Sequence, residues 1–154
     1  MKTYFDSSAL VKLYVTEEFS PRARREAQVL PQLPFTWLHA LELGNALQVL
    51  TGRKLLSAKE AELLRAQVED DRQAHRLAET PLDWPKVFHE SVQLSRTYSA
   101  RLLCRSLDIL HVAAACELRC ERFVSADERQ LALAAAAELK AVDIRLGVAK
   151  RVWF

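Results

Sequence analysis

Short apolar runs alternate with helical stretches along the whole chain, and this alternation narrows the fold more than any other feature. Thr3-Tyr4-Phe5, Phe35-Thr36-Trp37, His75 to Leu82, Arg122 to Ser125 and Lys140 to Ile144 read as strands. The stretches between them read as helices: Ala9 to Val15, a short basic segment around Arg22, Arg24 and Arg25, Leu38 to Thr51, a segment running through Val68, Trp84 to Tyr98, Leu107 to Leu118, and Glu128 to Leu139. A chain ordered this way is expected to form an α/β fold, a central parallel sheet of four to five strands covered on both faces by helices. Local signals support the boundaries. Leu43, Ala46, Leu47 and Leu50 recur at the three-and-four spacing of one buried helix face. Ser57-Ala58-Lys59-Glu60 is a capping box. Ser7 or Ser8 is expected to cap the first helix, and Gly52 to take the left-handed position that ends the helix before it. The acidic run Glu69-Asp70-Asp71 reads as a solvated helix end.

With 154 residues, 50% of them hydrophobic, 27% charged, and only 3 Gly and 5 Pro, the chain is expected to form one domain over 1–154, without flexible linkers. A net charge of +2 does not mark a nucleic-acid binder, because local clustering of charge matters more than the sum. Cys104, Cys116 and Cys120 suit a reducing compartment as free thiols better than a disulfide framework. Cys116 and Cys120 have only His111 near them as a further metal ligand. The first apolar stretch is interrupted by Asp6 and Lys12, and no run reaches the roughly 18 apolar residues needed to span a bilayer. A cytoplasmic protein without membrane attachment is expected. The Trp153-Phe154 tail is expected to pack against the domain at a place the sequence does not identify.

Four acids stand where strands hand over to helices. Asp6 follows the first strand, Asp127 follows the strand ending at Ser125, Glu42 lies early in the helix leaving the second strand, and Asp108 lies in a first helical turn. In open parallel sheets the ligand site lies beyond the carboxyl ends of the strands, so all four fall on one rim. Each also has a local explanation. Asp6 can cap a helix, and Asp127 with Gln130 has capping-box spacing. Asp108 suits a helix dipole, and Glu42 suits a solvated helix face. Together they form a concentration of like charge that a hard divalent cation, Mg²⁺ or Mn²⁺, would neutralise through carboxylate oxygens. Clusters of His or Cys at zinc spacing are absent from the sequence.

Phe5-Asp6-Ser7-Ser8-Ala9-Leu10-Val11-Lys12-Leu13-Tyr14 resembles the opening of PIN domains of VapC-type toxins. Glu42-Leu43-Gly44-Asn45-Ala46-Leu47 is similar to their second acidic motif, Leu107 to Ala115 to their third, and Phe123 to Gln130 to their fourth. The motifs come in the family's order and span nearly the whole chain. The resemblance implies a PIN-like α/β/α sandwich and Mg²⁺- or Mn²⁺-dependent hydrolysis of RNA. It also implies a homodimer that a cognate antitoxin holds inactive. In that reading Asp6, Glu42, Asp108 and Asp127 hold the metal or orient water, with Ser7, Ser125 and Asn45 in support. His111, one turn beyond Asp108, is left out of the catalytic set as a histidine packed on an apolar helix.

RNA binding requires positive charge beside the acids. Leu94 to Leu107 supplies Arg96, Arg101 and Arg105 without an acidic residue, and leads directly into Asp108. Other readings of an Asp after a first strand fit less well. Haloacid-dehalogenase-like phosphatases need a second Asp where Ser8 stands, and receiver domains need adjacent acids and a late Lys that are not evident. A Gly-rich phosphate loop is lacking. A PIN-like module that binds RNA or protein without cutting is the alternative that shares the same motifs.

Overall fold

A computed structural model describes residues 1–146. The elements run β1 (Thr3–Phe5), α1 (Ser7–Tyr14), α2 (Ser20–Gln28), β2 (Leu33–Phe35), α3 (Trp37–Gly52), α4 (Ala58–Gln73), β3 (Leu77–Glu79), α5 (Trp84–Leu94), a π turn (Ser95–Ser99), α6 (Ala100–Leu102), α7 (Ser106–Glu117), β4 (Arg122–Ser125), α8 (Glu128–Ala136) and β5 (Lys140–Asp143). Among these residues no helix is long and apolar enough to cross a membrane. The expectation for Trp153-Phe154 lies outside the described residues.

Among the described residues all five strands pair in parallel, in two sheets. One is β1-β4-β5 and the other β2-β3. The expected continuous sheet is thus divided between β1 and β2, and a side chain occupies the junction. His39 Nε2 donates to the Phe5 carbonyl at 2.7 Å, so that acceptor of β1 is used by an imidazole and not by a strand amide.

Period-two alternation distributes the strand residues between two cores. Tyr4 and its register partner Phe123 pack with Val87, Val112, Ala113 and Leu133, the layer built on α5, α7 and α8. Phe5 and its partner Val124 pack with Leu10, Ala23, Leu43 and Val142, the layer built on α1, α2 and α3. Buried apolar surface on both faces makes the sandwich, at about 25 cal/mol per Å² removed from water.

Boundaries differ from expectation where capping chemistry decides. Asp6, not Ser7 or Ser8, caps α1 by accepting from the Ala9 amide. Thr36 is the N-cap of α3 and not a strand residue, which ends β2 at Phe35. α3 runs through Gly52, and the left-handed residue is Lys54 (φ 59). His75 (φ 57), Arg119 (φ 54) and Glu138 (φ 66) likewise follow α4, α7 and α8. Each of these four helix ends is closed by an amide bonding five residues back, from Leu55, Arg76, Cys120 and Leu139. α4 extends to Gln73, so Asp71 is a helical residue whose carboxylate receives the Tyr14 hydroxyl at 2.7 Å. The helix expected from Trp84 to Tyr98 widens into the π turn and ends at Leu103, which is left-handed (φ 56).

Candidate active site

The carboxyl ends of β1 and β4 lie side by side, because the Asp6 amide donates to the Val124 carbonyl at 3.0 Å. Asp6 is 2% exposed, and both its oxygens accept hydrogen bonds. Oδ1 accepts from the Ala9 amide at 2.8 Å, the Ser8 hydroxyl reaches both oxygens at 2.8 and 2.9 Å, and Ser125 Oγ donates to Oδ2 at 2.5 Å. Burial raises the Asp6 pKa above the usual carboxylate value, opposed by the Ser125, Ala9 and Ser8 donors and by nearby His111. The capping reading of Asp6 is therefore correct, and the residue also stands on the rim.

Ser125, the last residue of β4 and fully buried, joins two of the acids. While donating to Asp6 it accepts from the Asp127 amide at 2.9 Å. Asp127 caps α8 by accepting from the Gln130 amide at 2.9 Å. The Gln130 side chain does not return to close a capping box. Its Nε2 points to the Asp108 carbonyl at 3.3 Å and to Asp108 Oδ1 at 3.4 Å. A chain of contacts thus runs Asp6–Ser125–Asp127–Gln130–Asp108 across the rim.

Asp108 sits in the first turn of α7 with its side chain 20% exposed. Burial raises its pKa, and the charges of Asp127 and Glu42 push it further up. Arg105, with Nε 3.6 Å from Oδ2, and His111 act the other way. Glu42 enters from α3. It accepts from Ser7 Oγ at 3.0 Å and from His111 Nε2. Burial works to raise the Glu42 pKa, but His111, Ser7 and His39 outweigh it and hold the carboxyl below its usual value. Like charge is therefore concentrated from Glu42 to Asp127, with the strain on Asp108.

The supporting residues divide. Ser7 Oγ touches both Glu42 and His111 Nε2, the latter at 3.1 Å. Asn45 is exposed one turn beyond Glu42, and with Leu41, Val49 and Leu107 it lines an open groove of about 590 Å³ that begins at Glu42. Arg105 reaches the acids. Arg101 lies over the Tyr98 ring at 5.8 Å and Arg96 is exposed on the π turn, and neither is in contact with a rim carboxylate among the described residues.

Among the described residues no group of three His, Cys, Asp or Glu side chains is placed to hold a metal ion. The three cysteines are free, and burial pushes the Cys120 thiol up to about 11. The nitrogens of His111 are both engaged elsewhere, so the thiols and His111 do not form a soft metal site.

Sequence reasoning passed over two residues that organise this rim. His111 is 1% exposed and bonded to Tyr4, Ser7 and Glu42. Its signal was a lone imidazole three residues beyond Asp108 in the otherwise apolar run Ile109 to Ala115. Gln130 was read only as a capping partner.

The element order, the parallel strands and the two helical layers define a PIN-like α/β/α fold. The chain is similar to one in the crystal structure of FitAcB from Neisseria gonorrhoeae, with a TM-score of 0.67 and 14% sequence identity over 94% of this chain and 99% of that one. At this identity the likeness is one of fold. No protein-family model matches the sequence, and no curated protein matches it significantly.

Proposed function

We propose that this chain is a Mg²⁺- or Mn²⁺-dependent endoribonuclease, the VapC-type toxin of a toxin–antitoxin pair, acting in the cytoplasm as a homodimer and neutralised by a cognate antitoxin. What supports the reading is that Asp6, Asp127 and Asp108 are linked along one rim through Ser125 and Gln130, with Asp127 and Glu42 raising Asp108 electrostatically. The donor set is all oxygen and excess negative, which suits a hard divalent cation. Asp6, Glu42, Asp108 and Asp127 would hold it, and when bound it would supply Lewis-acid stabilisation of charge developing on phosphate.

The chain's own residues account for the remainder. Ser125 fixes the Asp6 carboxylate and the Asp127 backbone in one register. Ser7 and His111 keep Glu42 ionised and facing the rim, able to accept a proton from an approaching water. Asn45 lines the groove that leaves the site at Glu42. Arg105, with Arg101 and Arg96 farther out, offers charge to substrate phosphates that the acids alone would repel. The antitoxin and the homodimer rest on the family resemblance of the motifs.

The test is to incubate the purified chain with structured RNAs in Mn²⁺ or in chelator, beside Asp6→Asn. Cleavage that requires Mn²⁺ and is lost in a folded Asp6→Asn supports the proposal. A folded parent that binds RNA without cutting it in Mn²⁺ overturns it in favour of the non-catalytic module.

A further inference from the structure

His111 is a buried imidazole on an apolar helix, and both its nitrogens are occupied. Nδ1 lies 2.7 Å from the Tyr4 hydroxyl, and Nε2 meets Glu42 Oε1 with Ser7 Oγ at 3.1 Å. The two ends differ in kind. An ionised carboxylate can only accept, so the hydrogen of the His111–Glu42 bond belongs to Nε2. Nδ1 is then the acceptor, and the Tyr4 hydroxyl is its donor. Tyr4 is fully buried in β1, its ring stacked on Phe123 at 5.5 Å and edge-on to His111 at 5.7 Å, so the phenol cannot swing away. Glu42 lies on α3, Tyr4 on β1 and His111 on α7, so the relay ties three elements together at the rim.

We propose that Tyr4 and His111 are positioning residues: the Glu42 carboxylate fixes the Nε2–H tautomer of His111, and the Tyr4 hydroxyl, donating to Nδ1, holds the ring so that this hydrogen aims Glu42 at the rim. The functional part of this inference rests on Glu42 belonging to the active site, whereas the tautomer does not. The same region supplies an internal standard. His39, its ring 5.2 Å from that of His111, accepts from the Thr36 amide at Nδ1 (3.0 Å) and donates to the Phe5 carbonyl from Nε2 (2.7 Å). Backbone groups on both sides fix His39 as Nε2–H, independently of Tyr4. Orienting partners of this kind set ring tautomer and ligand direction in metal sites, and losing one costs about 10–100-fold in metal affinity or activity.

The experiment is a long-range ¹H–¹⁵N correlation of the imidazole rings in the full-length, metal-free protein. His111 is expected to match His39, with Nε2 protonated and Nδ1 bare. In Tyr4→Phe the Nε2–H tautomer should persist, because Glu42 still accepts, while the His111 Nδ1 resonance moves downfield on losing its donor and His39 stays unchanged, a readout that a purely packing role for Tyr4 would not move. A His111 ring protonated at Nδ1 alone in the parent, or a folded Tyr4→Phe with an unmoved His111 Nδ1 resonance, overturns the relay. If Tyr4→Phe does not fold, the parent spectrum and the pair His111→Gln and His111→Leu decide. The glutamine amide can still donate to Glu42, so it should recover part of the roughly 10–100-fold loss of Mn²⁺ affinity expected for leucine, and equal defects overturn the relay. A parent that neither binds Mn²⁺ nor cleaves RNA refutes the nuclease reading, while the spectra still decide the tautomer.

Discussion

Ser125→Ala is the substitution whose consequences the structure specifies most closely. The hydroxyl is fully buried, donates to Asp6 Oδ2 at 2.5 Å and accepts from the Asp127 amide at 2.9 Å. Its removal takes a donor from a buried carboxylate, a bond to a charged group worth about 1.5–3 kcal/mol, and leaves a backbone N–H without its acceptor, at about 1–3 kcal/mol. The two losses share one atom and do not add fully, so the expected cost is about 2–4 kcal/mol. For a chain of this size that is a fall in Tm of about 5–15 °C. Ser8→Ala provides the contrast. Ser8 is only half-buried, and water can replace its hydroxyl at Asp6, so the loss should be smaller. The penalty at Ser125 also has a pH signature. The Asp6 pKa is already raised in the folded state by burial, and loss of the Ser125 donor raises it further. Between the unfolded and folded pKa values the native state holds more protons, so stability falls as pH rises through that window. The excess penalty of Ser125→Ala should therefore be full above the folded pKa and shrink on acidification toward the ordinary carboxylate range. Circular-dichroism melts in chelator across a pH series measure both quantities. A loss below about 1 kcal/mol at neutral pH, or a penalty that grows on acidification, would refute the assignment of Ser125 as the pin between Asp6 and Asp127.

Three further outcomes are expected. Asp108→Asn keeps the side chain's shape and removes a charge that Asp127 and Glu42 oppose, so the metal-free protein should melt higher and stabilisation by Mn²⁺ should largely disappear. An Asp108 that serves only the helix dipole gives the reverse sign, a loss of about 0.3–1 kcal/mol with the Mn²⁺ response intact. Replacing Arg101 and Arg105 together with Gln should weaken RNA binding and flatten its dependence on salt at unchanged Tm, and an unchanged salt slope would remove both from the substrate path. The chain should sediment as a dimer at micromolar concentration, and a monomer across that range counts against the homodimer.

Alternating apolar runs were enough to read the strand and helix order, and the acids after β1 and β4 were readable because the rim of a parallel sheet is fixed by strand direction. Single caps were harder. Asp6 outcompeted Ser7 and Ser8 at α1 because its carboxylate reaches the Ala9 amide while the serines turn to Glu42, His111 and Asp6. Gly52 misled because the chain has only 3 glycines, and the left-handed helix ends fall on Lys54, His75, Leu103, Arg119 and Glu138 instead. The break between β1 and β2 was invisible because it depends on where the His39 ring points, and His111 was set aside because a residue's partners 107 and 69 positions away leave no local trace.

The π turn at Ser95–Ser99 sets a phase. A turn of this kind is one residue longer than the α-helical turn it replaces, so everything beyond it is rotated by about a quarter of a revolution relative to a continuous helix. Upstream, Val87 and Ser91 are buried on the core side, and downstream come Arg101, the left-handed Leu103 and Arg105 beside Asp108. The inserted residue rotates the end of the rod, where Arg101 lies over the Tyr98 ring, relative to its core-facing start, and Arg105 beside Asp108 follows only after the rod has ended at Leu103. Loss of a single residue between 95 and 99 would return the rod to a regular helix with its apolar face intact, but would rotate Arg101 and the turn at Leu103 relative to Val87 and Ser91.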